Sequence, residues 1–305
     1  MMNEIVVGHV SSSYQLLNFI LFLKLKRYKN CNKYVILDSY FKQATFSKSL
    51  VDSLDKIDVK ILNRGFRDIE ALIKGNKNLI LISPGINVQY IRYFSKMSFI
   101  KIDDGIGSYA NFLYRYKAFI RERGISIKVG VFPIWYALMT IIEMIKLKER
   151  FASFDNDSYR SCLTGFIEVE SGLVEEEYAL FCSQPYVDIG VLTESEYKKI
   201  LYCAEKLAKG KGIPLKILRH PADRGFDYSS YEVINTCSIF EEFVCKNKNQ
   251  IKLVLGINST CLITASNIFG IESISIQNTF FSKMTNNFPV KIKELFKKSS
   301  KKVDV

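Results

Sequence analysis

Two adjacent acids, Asp103 and Asp104, stand at the end of an apolar run and are followed by Gly105. Adjacent carboxylates repel each other, which raises the pKa of one of them and produces a group that can accept a proton. Glycine allows the backbone or a substrate to approach closely. The segment predicts a general base, and its plain alternative is an Asx turn that leads into a helix.

A second segment places His220 between Arg219 and Pro221, again directly after an apolar run. The chain has only 2 histidines, which makes this one a candidate for chemistry. A histidine held by a following proline is suited to donate a hydrogen bond or a proton to a phosphate. A histidine that merely caps a loop is the alternative.

A third segment, Ser259-Thr260, lies between an apolar run and a helical pattern. Hydroxyls and free N–H groups at a helix N-terminus bind anions such as phosphate, because the positive end of the helix dipole lies there. The alternative is an ordinary N-cap.

The elements that must position these segments follow an alternating pattern. Short β-branched runs alternate with helical patterns in the N-terminal half, and the rhythm restarts after about residue 176, which predicts two doubly wound α/β domains with parallel sheets. Ligands bind outside the carboxyl ends of such strands, where all three segments fall. The predicted strands are residues 4–7, 34–38, 58–62, 79–82, 98–102, 178–182, 215–218, 252–255 and 273–276.

The domain prediction uses the length of the chain as well as the pattern. A chain of 305 residues with 48% apolar residues can bury two ordinary cores. The predicted domains are residues 1–175, with a helical insert near 110–175, and residues 176–285. A basic tail, residues 286–305, follows them.

The composition limits the classes of partner. The chain has 43 Lys and Arg against 31 Asp and Glu, a formal net charge of +12, which favours anionic partners. A basic nucleic-acid-binding protein is the rival class, but it needs aromatic residues exposed beside a basic patch. Most aromatic residues here lie in apolar periodic segments, so we expect no nucleic-acid partner.

The cysteines indicate a compartment and argue against a zinc site. The 7 cysteines are scattered and lie mostly in apolar runs, which predicts buried thiols in a reducing cytoplasm. With 2 histidines and no close pair of cysteines, a zinc site is not expected. The apolar stretch 5–25 is interrupted by polar residues and lacks a basic leader, so it predicts neither a signal peptide nor an anchor.

Three further segments carry weaker signals. The apolar run 129–142 is shorter than the ~20 residues that span a bilayer, and it favours a packed helix over an interfacial one. Asp155-Asn156-Asp157 has the Asp-x-Asp form that holds Mg²⁺ or Mn²⁺ in other sugar transferases, but its polar surroundings favour a loop. The lysine-rich tail from Lys291 predicts a solvated or disordered end, with attraction to anionic lipid as the alternative.

The ordered set Asp-Asp-Gly, His-Pro and Ser-Thr resembles the signature of several families of bacterial sialyltransferases, including lipooligosaccharide sialyltransferases and capsular polysialyltransferases. The resemblance spans the chain, since residues 8–15 resemble their first strand-to-helix loop and residues 182–185 resemble the opening of their nucleotide domain. It implies a GT-B type α/β fold of two facing Rossmann-like domains. It also implies an inverting reaction with CMP-sialic acid as donor, no metal and no other cofactor.

The same resemblance implies roles for individual residues. Asp104 matches the general base and His220 the histidine that contacts the CMP phosphate. Ser259 and Thr260 match the hydroxyl pair that binds this phosphate, with threonine in place of the commoner second serine. The other implied substrate-binding residues are Asp103, Gly105, Arg219, Pro221, Ser183 and Gln184, with Ser12, Ser13 and Gln15 facing the sugars.

The expected function follows from these roles. We expect transfer of sialic acid to a terminal sugar of a bacterial lipooligosaccharide, O-antigen or capsule glycan, which can be lipid-linked. Galactose is the expected acceptor sugar. The alternatives are an α2,8-polysialyltransferase or another CMP-sugar transferase. The expected location is the cytoplasm, with the basic tail as a candidate peripheral contact on the inner face of the membrane.

Overall fold

A computed structural model describes most of the chain, which divides into two compact units, Met1–Cys162 and Leu163–Val305. Asp155-Asn156-Asp157 and Pro221 lie outside the described residues. The predicted domain boundary after residue 175 stays a prediction, because residues 164–175 are also outside them. The described residues are 4–24, 28, 31–38, 46–63, 65–73, 78–105, 112, 116, 120, 127–151, 163, 176–220, 223–236, 238–279, 281–282 and 288–305.

The first unit is a six-stranded parallel sheet in the order β3-β2-β1-β4-β5-β6 with helices between its strands. A 3₁₀ helix, Val88–Lys96, precedes β5. The elements are β1 (Glu4–Val10), α1 (Ser13–Lys24), β2 (Asn32–Leu37), α2 (Lys48–Lys56), β3 (Val59–Ile61), α3 (Phe66–Ile73), β4 (Asn78–Ser83), β5 (Met97–Ile102), α4 (Ile127–Lys146) and β6 (Leu147–Phe151).

The central strands of this sheet are apolar along their length because both of their faces are covered. Five of the six residues of β4 are buried, as are six of the seven of β1. Gly8 in β1 lets α1 lie close to the sheet, since a Cβ there would come within 2.6 Å of the Phe19 ring. This close packing sets the distance between α1 and the polar ends of the strands.

The second unit repeats the architecture, with the sheet order β12-β11-β10-β7-β8-β9 and all pairs parallel. Its longest helix, α5, begins at a capping box in which Thr193 and Glu196 each accept a backbone N–H of the other. The elements are β7 (Tyr178–Cys182), α5 (Glu194–Lys209), β8 (Leu215–Leu218), β9 (Glu232–Ile234), α6 (Phe240–Asn247), β10 (Ile251–Gly256), α7 (Thr260–Asn267), β11 (Glu272–Gln277), α8 (Val290–Ser299) and β12 (Lys301–Asp304).

The basic C-terminal segment is part of this fold. Helix α8 buries Ile292 and Phe296, and β12 pairs in parallel with β11 from Ile274↔Lys301 to Gln277↔Asp304. Ion pairs of Lys301 with Glu272 and of Lys302 with Asp304 hold the lysines of the strand. The prediction of a disordered end is therefore wrong for residues 288–305, whereas the exposed lysines, such as Lys301 at 75%, agree with a solvated one.

Helix α4 packs on the first sheet with one side and leaves another side exposed. Met139 and Ile142 on its inner side belong to the core of the first unit, and Glu143 pairs with Lys101 of β5 at 2.6 Å. Its other side exposes large apolar residues, among them Ile134 at 73%. The expectation of a packed helix holds for the inner side and is wrong for the outer side. Among the described residues, no helix is long and apolar enough to cross a membrane.

Candidate active site

The two acids after β5 have opposite environments. Asp103 is 1% exposed, whereas the neighbouring Asp104 is exposed. Gly105 has a φ of 63°, in the left-handed region that glycine adopts without strain, so the chain can turn immediately after the acids. Of the two carboxylates, that of Asp104 is therefore the one accessible to a substrate.

Helix α1 orients the carboxylate of Asp104. The buried side chain of Gln15 donates from Nε2 to Asp104 Oδ1 at 2.5 Å, and its Oε1 accepts the Ser11 N–H at 2.7 Å. An amide oxygen cannot donate, so the bond from Ser11 fixes which end of Gln15 faces the acid. One turn later, Asn18 Nδ2 donates to the carbonyl of Asp103 at 3.1 Å. Two side chains of one helix face thus hold the acidic loop.

The serines of the first loop make local contacts. Ser12 Oγ accepts the Gln15 N–H at 3.2 Å, which is the bond of an N-cap serine at the start of α1. Ser13 Oγ accepts the Ser47 N–H at 2.8 Å, just before α2. Both hydroxyls fix the loop that presents Gln15, and the sugar contacts expected of them stay predictions.

A histidine and an acid that sequence reasoning did not assign meet at the same edge of this sheet. His9 Nε2 lies 3.5 Å from Asp38 Oδ2, at the carboxyl ends of β1 and β2. The ring of His9 packs against those of Phe66 and Tyr90, with ring centroids 5.6 and 5.7 Å apart. Burial lowers the pKa of His9, and Asp38 opposes the shift. The available signal was the position of each residue at the end of a strand.

In the second unit, a buried network of hydroxyls surrounds Asp223. Ser183, directly after β7, donates a very short hydrogen bond from Oγ to Asp223 Oδ2. Tyr228 donates to the same carboxylate oxygen at 2.6 Å, and its hydroxyl lies 2.9 Å from that of Tyr197. Burial, together with these neighbours, raises the pKa of Tyr228 above its ordinary value, so the hydroxyl stays protonated and able to donate. Sequence reasoning missed Asp223, whose one signal was its place three residues after His220.

This network fixes the loop that carries His220. The backbone N–H of His220 donates to Ser183 Oγ at 2.9 Å, and its carbonyl accepts the Asp223 N–H at 2.9 Å. Arg219 Nε donates to the Asp223 carbonyl at 2.6 Å. The imidazole is half-buried, and burial lowers its pKa although Asp223 raises it in part. At neutral pH His220 is therefore uncharged and can donate one N–H.

The loop before α7 has the features of an anion site. Ser259 caps α7 by accepting the Cys261 N–H at 3.2 Å, and Gln184 Nε2 lies 3.4 Å from the same hydroxyl. Asn258 adopts a φ of 45° and accepts a hydrogen bond from Gln277 Nε2 at 2.8 Å. The loop is thus fixed by β11 and by the segment after β7, with Thr260 at the first position of the helix.

The structure brings most of the predicted residues into two groups. In the first unit, Gln15 contacts Asp104, and Ser12 contacts Gln15. In the second unit, Ser183 joins the loop of Arg219 and His220, and Gln184 joins Ser259. Within the described part of the chain, no three His, Cys, Asp or Glu residues cluster as metal ligands would.

Comparison with solved structures shows the fold. A UDP-N-acetylglucosamine 2-epimerase matches with a TM-score of 0.55 and 11% identity over 100% of this chain and 84% of that chain. The Methanocaldococcus jannaschii UDP-GlcNAc 2-epimerase, solved with UDP-GlcNAc and UDP, matches with a TM-score of 0.52 and 10% identity over 98% and 88%. The GT-B domain of a Photobacterium damselae sialyltransferase matches with a TM-score of 0.48 and 10% identity, over 98% of this chain and 100% of that chain. No curated protein sequence matches the chain.

Two parallel six-stranded sheets with polar loops at the carboxyl ends of their strands define an α/β protein of the GT-B type, as predicted. A model of the alpha-2,8-polysialyltransferase (POLYST) family matches residues 5–278. The chain belongs to this family of sialyltransferases and is therefore a glycosyltransferase.

Proposed function

We propose that the protein is an inverting, metal-independent transferase that moves sialic acid from CMP-sialic acid to a hydroxyl of a bacterial surface glycan. Asp104 removes the proton of the acceptor hydroxyl while its oxygen bonds to the anomeric carbon of the sialic acid. The bond from that carbon to the CMP phosphate breaks, and CMP leaves with the electron pair. Asp104 ends the step protonated.

The observation that carries the proposal is the accessible, oriented carboxylate of Asp104. A general base must reach the proton that it removes, and geometry precedes pKa in this requirement. Asp104 is exposed and held by Gln15 at 2.5 Å, whereas the adjacent Asp103 is buried. The proposal therefore assigns the base to Asp104 and the support of the loop to Asp103.

The second unit supplies the groups for the donor. The phosphate gains charge as the sugar leaves, and fixed donors that meet this charge lower the barrier. His220, Arg219 and the N-terminus of α7 with Ser259 offer such donors. Asp223 has no direct part in this proposal, since it positions the His220 loop through Ser183.

The family match favours the alternative of an α2,8-polysialyltransferase, whose acceptor would be a sialic acid at the end of an α2,8-linked chain. Incubation with CMP-sialic acid and either a galactose-terminated or an oligosialic acid acceptor separates the two. Mass spectrometry of the products shows single transfer or chain extension. No CMP release with either acceptor would contradict the proposed function.

We expect transfer to survive EDTA. CMP carries one phosphate, and the cationic and N–H groups around His220 can meet its charge without a bridging metal. The measurement is the rate of product formation before and after chelation, with restoration by Mn²⁺ as the control. Loss of transfer that Mn²⁺ restores would contradict this prediction and make Asp155 and Asp157 the candidate metal ligands.

Replacement of Gln15, which orients the proposed base, should also lower the transfer rate. We expect Gln15→Ala to slow transfer by about tenfold or more, because it removes a hydrogen bond to a charged group, worth about 1.5–3 kcal/mol. Gln15→Glu should place a second carboxylate against Asp104 and raise the pKa of the base. The acidic limb of the pH–rate profile should then move to higher pH.

The matched control for Gln15 is Ser12→Ala in the same loop. It removes the cap of α1, at a cost of about 0.5–2 kcal/mol of stability, but adds no charge beside Asp104. Its thermal melt should fall while its pH–rate profile stays in place. If the profile of Gln15→Glu also stays in place, Gln15 has only a structural part in the loop.

A further inference from the structure

The outer side of α4 is a continuous apolar surface. It consists of Val131, Ile134, Trp135, Leu138, Ile141 and Ile145, which are between 44% and 73% exposed and recur at helical spacing. We call this surface the outer face of α4. The segment 129–142 has no charged residue, so none interrupts the face along that length. Exposed apolar surfaces of this extent mark sites of interaction.

The inner side of the helix is fixed lengthwise on its own unit. Met139 and Ile142 pack in the core, and Glu143 Oε2 pairs with Lys101 Nζ at 2.6 Å, with both side chains largely buried. The helix therefore cannot leave the sheet to span a bilayer without breaking these contacts. It can only offer its outer face, as a helix that lies in the plane of an interface does.

We infer that the outer face of α4 docks on an anionic lipid bilayer. Basic residues follow the face, since Lys146 ends the helix and the exposed Lys148 and Arg150 lie on β6. Such residues are attracted to anionic headgroups, while apolar side chains enter the boundary between headgroups and acyl chains. The indole of Trp135 suits this boundary, because one end of the ring system is apolar and the other donates a hydrogen bond.

A second copy of the chain fits this face less well. Protein interfaces carry a polar rim and about one hydrogen bond per 100–200 Å². Trp135 carries the one polar group among the six side chains of the face. A lipid contact through the basic tail, which is folded into the second sheet, stays a separate prediction.

The chain provides its own reporter for the test. Trp135 is the sole tryptophan of the sequence and lies on the outer face. Full-length protein is mixed with vesicles of phosphatidylcholine alone or of equimolar phosphatidylcholine and phosphatidylglycerol. We expect flotation with the anionic vesicles and a blue shift of the tryptophan emission, and weaker binding to the neutral ones. Salt should reduce the binding, because it screens the charges.

The variant Ile134→Glu with Ile141→Glu keeps good helix formers but places charge on the outer face. Its matched control is Tyr202→Glu with Val290→Glu, which changes the net charge equally at exposed positions of the second unit. We expect the α4 variant to lose vesicle binding by about tenfold or more and the control to retain it. Circular dichroism and a thermal melt check that both variants are folded.

Three results would overturn the inference. In the first, both variants still bind vesicles and the tryptophan emission shows no blue shift, which would place the contact elsewhere on the protein. Another is no binding to either vesicle. The third is a dimer in light scattering that the α4 variant dissociates while vesicle binding is absent, which would make a second copy the occupant. None of these readouts requires transfer, so the inference and the proposed function fail separately.

Discussion

Asp104→Asn is expected to lower the rate of sialic acid transfer by about 10²–10⁴-fold, the usual loss when a general base is removed. The new amide oxygen can still accept the hydrogen bond from Gln15, so the loop should keep its geometry. CMP affinity should stay nearly constant, because base catalysis acts only while a proton is being removed. The measurements are the transfer rate and the CMP dissociation constant, with a thermal melt to check folding.

Asp103→Asn is the matched control for this prediction. Asp103 is buried, and its backbone carbonyl, which the substitution leaves intact, is the group that Asn18 holds. The variant should therefore lose less transfer than Asp104→Asn. If Asp104→Asn transfers normally while Asp103→Asn is inactive, the base has been assigned to the wrong acid. If both stay active, the segment is only a turn.

His220→Ala should weaken both CMP binding and turnover. The phosphate is present in the ground state and gains charge as it leaves, so a donor at this point acts on both. We expect turnover to fall by about 10²–10³-fold, the range for a lost donor to a developing oxyanion. Titration calorimetry with CMP and a steady-state assay measure the two effects. An unchanged CMP affinity would remove His220 from the site.

The pH dependence of CMP binding tests whether the imidazole of His220 contacts the CMP phosphate or only lies near it. Burial keeps the pKa of His220 below its ordinary value in the free protein, and a bound phosphate dianion should raise it. Binding then takes up a proton below about pH 7, and affinity should rise as the pH falls toward the pKa of the phosphate, about 6. Calorimetry in two buffers of different ionisation enthalpy measures this uptake. The proton uptake should vanish in His220→Ala. It should persist in the control His9→Ala, since His9 is the only other histidine of the sequence and lies in the first unit.

The predictability of the strands depended on their place in the sheet. All nine predicted strands are present, and most of them lie inside the two sheets, where both faces are covered and the sequence is continuously apolar. The three strands that were missed, β6, β9 and β12, are all edge strands. Their sequences, such as LKERF and KKVD, are rich in charge because one side of an edge strand meets solvent. A period-two or apolar pattern cannot detect such strands.

The candidate site was predictable in its positions and not in its contacts. Residue types at the ends of strands were sufficient to single out the segments of Asp103-Asp104, His220 and Ser259-Thr260, whereas the choice of Asp104 as base depended on the family resemblance. The partners of these residues come from elements distant in the chain, as Gln15 does for Asp104, 89 positions away. Asp223 illustrates the limit, since an acid in a polar loop has no local pattern that distinguishes a buried network from a solvated turn.

The position of β12 has a consequence for the order in which the protein matures on the ribosome. The described strands of the first sheet lie within residues 4–151, so that unit can fold while the rest is being translated. The second sheet lacks its β12 edge until residues 301–304 have emerged, and Gln277 on the neighbouring strand holds Asn258 of the loop before α7. A chain paused before residue 301 would carry a finished acidic loop after β5 and an open edge at β11. Such an edge is a template for unwanted strand pairing, and it makes the nascent second unit the part of the chain that is more prone to aggregate before synthesis ends.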